Sequence, residues 1–329
     1  MLLWRRIQLA LFAMLAGMVL LGASASAQKP VRIGVLKFGT VNWELDVIKT
    51  HGLDRQEGID IKIVEFAGRD ATSVALLAGK VDVIVIDWIW VSRQRAEGGK
   101  LTFIPFSSAV GALMVPAQSP IRSLADLKGK RLGIAGGPID KSWLLIRAMG
   151  QSQAGFDLDD TVDKTFGAPP LLNAQAVAGR LDGIITSWNF LAELEAKGFR
   201  TLVTVEQAAQ AIGISRPLPL LGYVFDETWG RAHGDAVVGL ARASRRSKQV
   251  LAESDAEWER LRPLMQAQDD ATFAALKAGF RRGTPERWGQ AERDDAGRAY
   301  AVMARLGGKE LVGRSVTLQP GVFWPDVTY

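Results

Sequence analysis

The 329-residue chain contains no cysteine and only two histidines, His51 and His233. The absence of cysteine excludes disulfides, thiolate metal sites, cysteine nucleophiles and a lipid-modified cysteine. Two separate histidines also argue against a histidine-based metal centre or catalytic triad, because both need several such groups. We therefore predict no catalytic residue, no metal site and no catalytic cofactor, and the composition favours a protein that is not an enzyme.

The composition also lacks the biases of disordered, collagen-like or coiled-coil chains. Hydrophobic residues make up 48% and charged residues 23% of the sequence, and its 34 glycines and 13 prolines follow no period. This length and composition predict a globular chain with a sizeable core. The formal net charge of +5 is spread along the chain rather than clustered. No nucleic acid partner is expected.

A basic and apolar segment begins the chain. Arg5 and Arg6 precede an apolar run at residues 7–21, and Ala25-Ser26-Ala27 has the small-x-small form of a cleavage site. We interpret residues 1–27 as a signal peptide that is removed after export, which predicts a periplasmic protein. A retained membrane anchor is the alternative, but a run of about 15 residues is short for a bilayer span.

After this segment, short β-branched runs alternate with helical segments, which is the pattern of βαβ units and a parallel sheet. Strands are predicted at residues 31–36, 59–66, 81–86 and 101–107, and again at 131–135, 161–166 and 181–186. The second series matches the first at an offset of one hundred. The run AGKVD (78–82) aligns with AGRLD (178–182), and Trp43 and Trp88 align with Trp143 and Trp188. The repeat predicts two similar α/β lobes.

Two proline-bearing stretches, residues 111–120 and 215–225, are the predicted connections between the lobes. If the chain crosses twice, residues 28–114 and 218–329 form the first lobe, and residues 115–217 form the second. Two such connections make a hinge. Beyond residue 225 the pattern is helical, so a helical C-terminal region is expected in the first lobe.

The run SLADLKGKRLGI (123–134), together with AGKVD (78–82), resembles the substrate-binding proteins of ABC importers. The subgroup in question handles nitrate, sulfonates, taurine and thiamine precursors, and the resemblance covers about residues 31–250. It implies the type II periplasmic binding fold, with two Rossmann-like lobes that close over a ligand and a second strand outside the first. A transient permease partner is implied as well, and we expect a monomer. Pyrimidine synthases that share this fold depend on a cysteine-rich segment, which this chain lacks.

In open parallel sheets, ligands lie outside the carboxyl ends of the strands, where the following helices present free N–H groups. The strand-to-helix loops are therefore the predicted wall of the ligand cleft. Four tryptophans begin helices at these loops: Trp43, Trp88, Trp143 and Trp188. We expect at least two of them to face the cleft, where they would clamp a flat conjugated ring between the lobes.

Polar residues in the same loops complete the predicted ligand site. Arg69 and Lys141 are the candidate cations for anionic groups of the ligand. Asp87, like Asp140, stands just before a predicted helix, and an N-cap role explains it better than a ligand contact. The other candidates supply hydroxyl or amide groups or allow a close approach of the backbone: Asn42, Gly137, Ser142, Ser187 and Asn189.

Together these features predict a planar, aromatic, anionic ligand. The run GGPIDKSW (136–143) is similar to binding proteins dedicated to pyrroloquinoline quinone, and this second resemblance implies that Lys141 lies against the quinone carbonyl. The alternative ligands are a sulfonate such as taurine or a thiamine-precursor pyrimidine, bound by the same residues. Alternatives of another class are a periplasmic cofactor chaperone, a ligand sensor and, with less support, an enzyme on this fold.

Overall fold

A computed structural model describes residues 28–267 and 269–329, and the predicted signal peptide lies outside the described residues. Within these ranges, ten strands form two separate sheets of five. The first sheet contains β1 (Lys29–Leu36), β2 (Ile59–Phe66), β3 (Val83–Asp87), β4 (Leu101–Ser107) and β10 (Leu221–Asp226). The second contains β5 (Ala112–Pro116), β6 (Arg131–Ala135), β7 (Asp163–Gly167), β8 (Gly183–Thr186) and β9 (Phe199–Thr204).

The two sheets have the same topology. Their strand orders are β2-β1-β3-β10-β4 and β7-β6-β8-β5-β9. In each sheet the strand next to the edge, β10 or β5, runs antiparallel to both of its neighbours. The predicted α/β class is confirmed, and so is the placement of the second strand of each lobe outside the first.

The sequence pattern does not predict the antiparallel strands β5 and β10, nor the edge strand β9. The chain leaves the first sheet after Ser107 and enters the second at Ala112, and it returns between Ala211 and Leu221. The expected lobe boundary at residue 114 falls inside β5, which pairs with β8 and β9 of the second sheet. A short apolar run has no period that separates a buried strand from a linker, so no sequence signal marks this boundary.

Helices connect the strands and form the C-terminal region. Those between strands are α1 (Val41–Thr50), α2 (Leu53–Gln56), α3 (Arg69–Leu77), α4 (Trp88–Ala96), α5 (Lys141–Ala154), α6 (Pro169–Val177), α7 (Trp188–Ala196) and α8 (Val205–Ala211). The C-terminal helices are α9 (Glu227–Ala232), α10 (Gly234–Glu253), α11 (Asp255–Met265), α12 (Asp270–Arg282) and α13 (Gln290–Val312). Short 3₁₀ turns occupy Leu124–Leu127 and Leu158–Asp160. Within the described part of the chain, no helix combines the length and apolarity needed to cross a bilayer.

The sequence repeat corresponds to a repeated set of contacts. Nη2 of Arg32 lies 2.6 Å from a carboxylate oxygen of Asp82, and Nη2 of Arg131 lies 2.8 Å from the equivalent oxygen of Asp182. Both guanidiniums also donate to a glycine carbonyl, of Gly79 or Gly179, at 3.1 Å. These half-exposed ion pairs each contribute only about 0–1 kcal/mol, but they show that both lobes use one local design.

The C-terminal helices contact both lobes. Helix α12 packs against α7 of the second lobe, and α13 packs against α4 of the first and α5 of the second. On α12 the buried residues Phe273, Leu276 and Phe280 follow helical spacing, so one stripe of the helix faces the interior. The region expected to belong to the first lobe therefore also holds the second lobe in place.

Candidate functional site

The cleft between the lobes is bounded by two contacts across it. On one side, Nζ of Lys141, at the start of α5, lies 3.0 Å from Oδ2 of Asp87, at the end of β3. On the other side, the rings of Trp43 in α1 and Trp188 in α7 lie 6.0 Å apart. The structure thus brings strand-to-helix junctions of both lobes together, and we call the space between these two contacts the interlobe cleft.

Two carboxylates lie on the α4–α5 side of the cleft. Asp87 accepts a hydrogen bond from the N–H of Trp90 at 2.9 Å, and Asp140 accepts one from the N–H of Trp143 at 3.0 Å. The predicted N-cap role of both residues is confirmed. Asp87 has a second role that the sequence does not indicate, because its carboxylate also binds the ammonium group of the other lobe.

Burial and neighbouring charge shift the pKa values of these carboxylates in opposite directions. Burial alone would raise the pKa of Asp87, but the charge of Lys141 and the N–H of Trp90 hold that pKa below its ordinary value. Burial raises the pKa of Asp140 above its ordinary value, against the opposing effects of the Trp143 N–H and of Lys141. This side of the cleft therefore repels an anion unless Lys141 compensates.

Arg69 supplies positive charge that is open to a ligand. It is exposed at the start of α3, and its guanidinium forms no hydrogen bond or ion pair with any residue in the described ranges 28–267 and 269–329. Its charge nevertheless contributes to lowering the pKa of Asp87 and opposes the rise in the pKa of Asp140. The predicted cation thus lies near both acids without being neutralised by either, and its five N–H donors suit an oxyanion.

The helices on the α1–α7 side leave their first N–H groups without a side-chain cap. Thr40 before α1 and Ser187 before α7 make no capping hydrogen bond, whereas Asp87 and Asp140 do so at α4 and α5. The first N–H groups of a helix attract negative charge, but those of Asn42 and Trp43 in α1 already donate to the carbonyls of Gly39 and Thr40, so the start of α7 is the more open of the two. The α1–α7 side is accordingly the side of the cleft better suited to an anion.

The prediction of a ligand contact is wrong for two of the four tryptophans, Trp88 and Trp143. Trp88 and Trp143 are both 0% exposed and belong to a hydrophobic core cluster that contains residues of both lobes. The indole N–H of Trp88 donates to the carbonyl of Pro219 at 3.0 Å, and its ring lies 6.3 Å from that of Tyr300 in α13. Helix α13 covers the ring of Trp88 and the shared core cluster encloses that of Trp143, and nothing near either residue in the sequence indicates this burial.

Trp43 and Trp188 meet each other instead of clamping a ligand. Their rings are at 89°, an edge-to-face arrangement, and Trp43 also packs against Trp258 and Phe280 at 6.2 and 6.0 Å. Trp188 is half-buried and lies against Gly279 of α12. The parallel indole faces that a planar quinone requires are not formed, and Lys141 is held by Asp87. The assignment of pyrroloquinoline quinone as ligand is therefore not supported.

The remaining predicted site residues lie at the loops expected for them. Asn42 uses its amide N–H groups within its own turn, donating to the carbonyls of Leu36 and Lys37 at 2.9 and 3.0 Å. Gly137 has a φ of +109°, which a side chain at this position would strain. Ser142, Ser187 and Asn189 are half-buried in the first turns or caps of α5 and α7. Their contact with a ligand remains a prediction.

Sequence reasoning missed two buried hydroxyl groups at the lobe crossings. Ser108 and Thr186 are 4% and 2% exposed, and neither hydroxyl has a hydrogen-bond partner in the part of the chain that the structure describes. Ser108 follows β4 at the first crossing, and Thr186 ends β8. A serine or threonine at the end of a strand is too common a feature to be singled out from sequence.

Two α/β lobes, each with one antiparallel strand supplied by a crossing segment, define the type II periplasmic binding protein fold. Residues 47–257, more than half of the chain, match the family described as NMT1/THI5 like. The chain belongs to the NMT1/THI5-like family.

Two proteins similar to this chain carry names that refer to sulfonates. An Escherichia coli protein assigned as an aliphatic sulfonates-binding protein is 29% identical over 187 residues, which are 55% of this chain and 55% of that protein. The matched region thus spans about half the length of this relative. The crystal structure of the periplasmic aliphatic sulphonate binding protein SsuA from Escherichia coli superposes with a TM-score of 0.71 at 20% identity, covering 89% of this chain and 97% of that one.

An enzyme also shares the fold. The structure of the desulfurization enzyme DSZB superposes with a TM-score of 0.63 at 14% identity, covering 91% of this chain and 97% of that chain. At this identity the similarity concerns the fold alone. The absence of enzymatic activity therefore stays a prediction, which rests on the lack of cysteine and the two separate histidines.

Proposed function

We propose that this protein is a periplasmic solute-binding protein of an ABC importer and that it captures a small organosulfonate in the interlobe cleft. The observation that carries the proposal is the guanidinium of Arg69, which is exposed at the cleft and has no carboxylate partner among the described residues. Membership of the NMT1/THI5-like family and the names of two similar proteins support the assignment.

The charge distribution of the cleft supports a small anion over a large planar one. Arg69 and the start of α7, which has no side-chain cap, offer N–H donors for the oxygens of a sulfonate. Asp87 already neutralises Lys141, so one guanidinium remains as the free charge and a monoanion is favoured. A tricarboxylate would bring further negative charge towards Asp140 and Asp87 without additional cations to offset it.

The experiment is a calorimetric titration of the mature protein with ethanesulfonate. We expect saturable binding, and Arg69→Ala should weaken it about ten- to a hundredfold, because one charge-assisted hydrogen-bonding group is lost. Arg180→Ala is the matched control: Arg180 is exposed in the turn before β8, at the opposite end of that strand from the cleft, and its loss should leave affinity unchanged.

Two results would contradict the assignment. If ethanesulfonate and taurine give no binding heat while a hydroxymethylpyrimidine does, the pyrimidine alternative replaces it. If ethanesulfonate binds with the same affinity to the protein and to Arg69→Ala, the cleft described above is not the site.

A further inference from the structure

A second cavity lies beside the lobe crossings. Its volume is about 290 Å³, and its walls come from both crossing segments and from helices α5 and α8. None of the twelve residues predicted for the ligand site lines it. The cavity therefore lies outside the predicted ligand site, and a neighbouring pocket that shares Val110, Glu206 and Arg282 with it extends to Trp188.

The walls of this cavity are mostly aliphatic. A cavity of roughly 150 Å³ lined by such side chains can accept benzene, so the present one has room for a chain of several more carbons. Burying apolar ligand surface there is favourable because the walls offer water few hydrogen-bonding partners. The principal aliphatic side chains are Val110, Leu145, Val205, Ile214, Leu218 and Leu220.

Polar groups are concentrated where the first crossing meets the end of α12. The N–H of Ser108 donates to the carbonyl of Gly283 at 2.8 Å. Ser108 therefore contacts the residue that directly follows Arg282 in the chain. Ser108 is 4% exposed, and its hydroxyl is buried without a partner within the described residues. Arg282, an exposed residue, lines the same cavity, and its guanidinium forms no ion pair with a carboxylate of residues 28–267 or 269–329.

One arginine of the lining has no carboxylate partner among the described residues. Arg216, Arg282 and Glu206 are the ionisable residues of the walls. Arg216 is already held by α13, at 3.3 Å from Asp295 and 3.5 Å from Glu292. Arg282 is the cation that remains for a ligand, and Ser108 supplies a buried hydroxyl in the same lining.

We propose that this cavity binds a medium-chain aliphatic monoanion, with its alkyl chain between the crossing segments and its acidic head group at Arg282 and Ser108. The head group can be a carboxylate or a sulfonate, since both accept hydrogen bonds from a guanidinium and a hydroxyl. The proposal is independent of the sulfonate assignment for the interlobe cleft.

The test is a titration with octanoate and with octanesulfonate while the cleft is saturated with ethanesulfonate. We expect octanoate to bind without displacing ethanesulfonate and acetate to give no heat, because acetate lacks the chain. Octanesulfonate serves to compare the head groups, and its binding to the saturated protein at an affinity similar to that of octanoate is expected. Displacement of ethanesulfonate by octanoate, or absence of octanoate binding, overturns the proposal.

Variants locate the binding. Arg282→Gln should weaken octanoate about tenfold or more and leave ethanesulfonate unaffected, with the exposed Arg287→Gln as matched control. Ala209→Phe, which introduces a ring from α8 into the cavity, should abolish octanoate binding. Unchanged octanoate affinity in Arg282→Gln overturns the proposal even if Ala209→Phe fails to fold. Failure of the sulfonate assignment would appear separately, in the ethanesulfonate titration of the unmodified protein.

Discussion

Asp87 shows how one side chain can serve a helix and a lobe contact at once. Its carboxylate caps α4 through Trp90 and binds Lys141 of the other lobe at 3.0 Å. From sequence, these appeared as separate possibilities, an N-cap or a polar residue of the cleft. A carboxylate has enough acceptor sites for both contacts, so Asp87 performs both roles.

We predict that Asp87 makes the protein more stable at neutral pH than in acid. The fold lowers the pKa of Asp87, so the unfolded chain binds its proton more readily, and the stabilisation is present above the ordinary carboxyl range and is lost as pH falls through the lowered pKa. Asp87→Asn keeps a capping side chain but removes the charge. It should cost about 1–3 kcal/mol at neutral pH, and it should flatten the pH dependence between about pH 5 and pH 3.

Urea unfolding at several pH values measures this effect. Asp326→Asn, a substitution of an exposed carboxylate, is the control and should retain the pH dependence of the unmodified protein. Equal slopes of stability against pH for Asp87→Asn and the unmodified protein would show that the contact with Lys141 does not stabilise the fold.

At the scale of elements, the contact between α7 and α12 joins the second lobe to the C-terminal region. Gly279 of α12 lies so close to Trp188 that a Cβ atom added there would be 2.7 Å from Cε3 of the indole. Trp188 in turn contacts Trp43 of α1. A glycine inside a helix costs stability by itself, and here it provides the space that the indole occupies.

We predict that Gly279→Ala destabilises the protein by about 1–3 kcal/mol, because the added methyl group displaces Trp188 from a packed contact. Gly297→Ala is the matched control, since Gly297 lies inside α13 with nothing within 4 Å of an added Cβ. That substitution should instead stabilise by about 0.5–1 kcal/mol. Thermal or urea unfolding of the two variants measures the change in stability that each substitution causes. Equal changes of the same sign would show that Trp188 moves aside without cost.

At the scale of the whole molecule, the two lobes share a hydrophobic core cluster. One hydrophobic cluster includes Ile84 and Trp88 of the first lobe, Leu132 and Trp143 of the second, and Tyr300 of α13. Interfaces between independent domains are usually smaller and more polar than a shared core of this kind. Closure of the lobes over a ligand, which the fold implies, must therefore take place around a core that stays intact.

We predict a single unfolding transition for the complete protein. Since both lobes bury side chains in one cluster, loss of either lobe exposes apolar surface of the other. Tryptophan fluorescence and far-ultraviolet circular dichroism should give the same urea midpoint, and Gly279→Ala should shift both curves together. Two separate transitions, of which only one moves in that variant, would contradict the prediction.

The local features of the chain were predictable from its sequence. The βαβ order, the repeat at an offset of one hundred and the N-caps Asp87 and Asp140 depend on residues that are near each other in the chain. Arg69 also stands where the pattern predicts, at the start of a helix that follows a strand. Periodicity and capping are properties of single elements, so they can be read before any tertiary contact is known.

Tertiary structure alone decided which side chains reach the cleft. Trp88 and Trp143 occupy the same kind of position as Trp43 and Trp188, yet α13 and the shared core cover them. The covering helix begins about two hundred residues after Trp88, at Gln290, and no local signal links the two. Burial depends on what packs against a residue from elsewhere in the chain. The sequence by itself therefore determined the two lobes and their strand-to-helix junctions, whereas the C-terminal helices determined which junction residues remain available to a ligand.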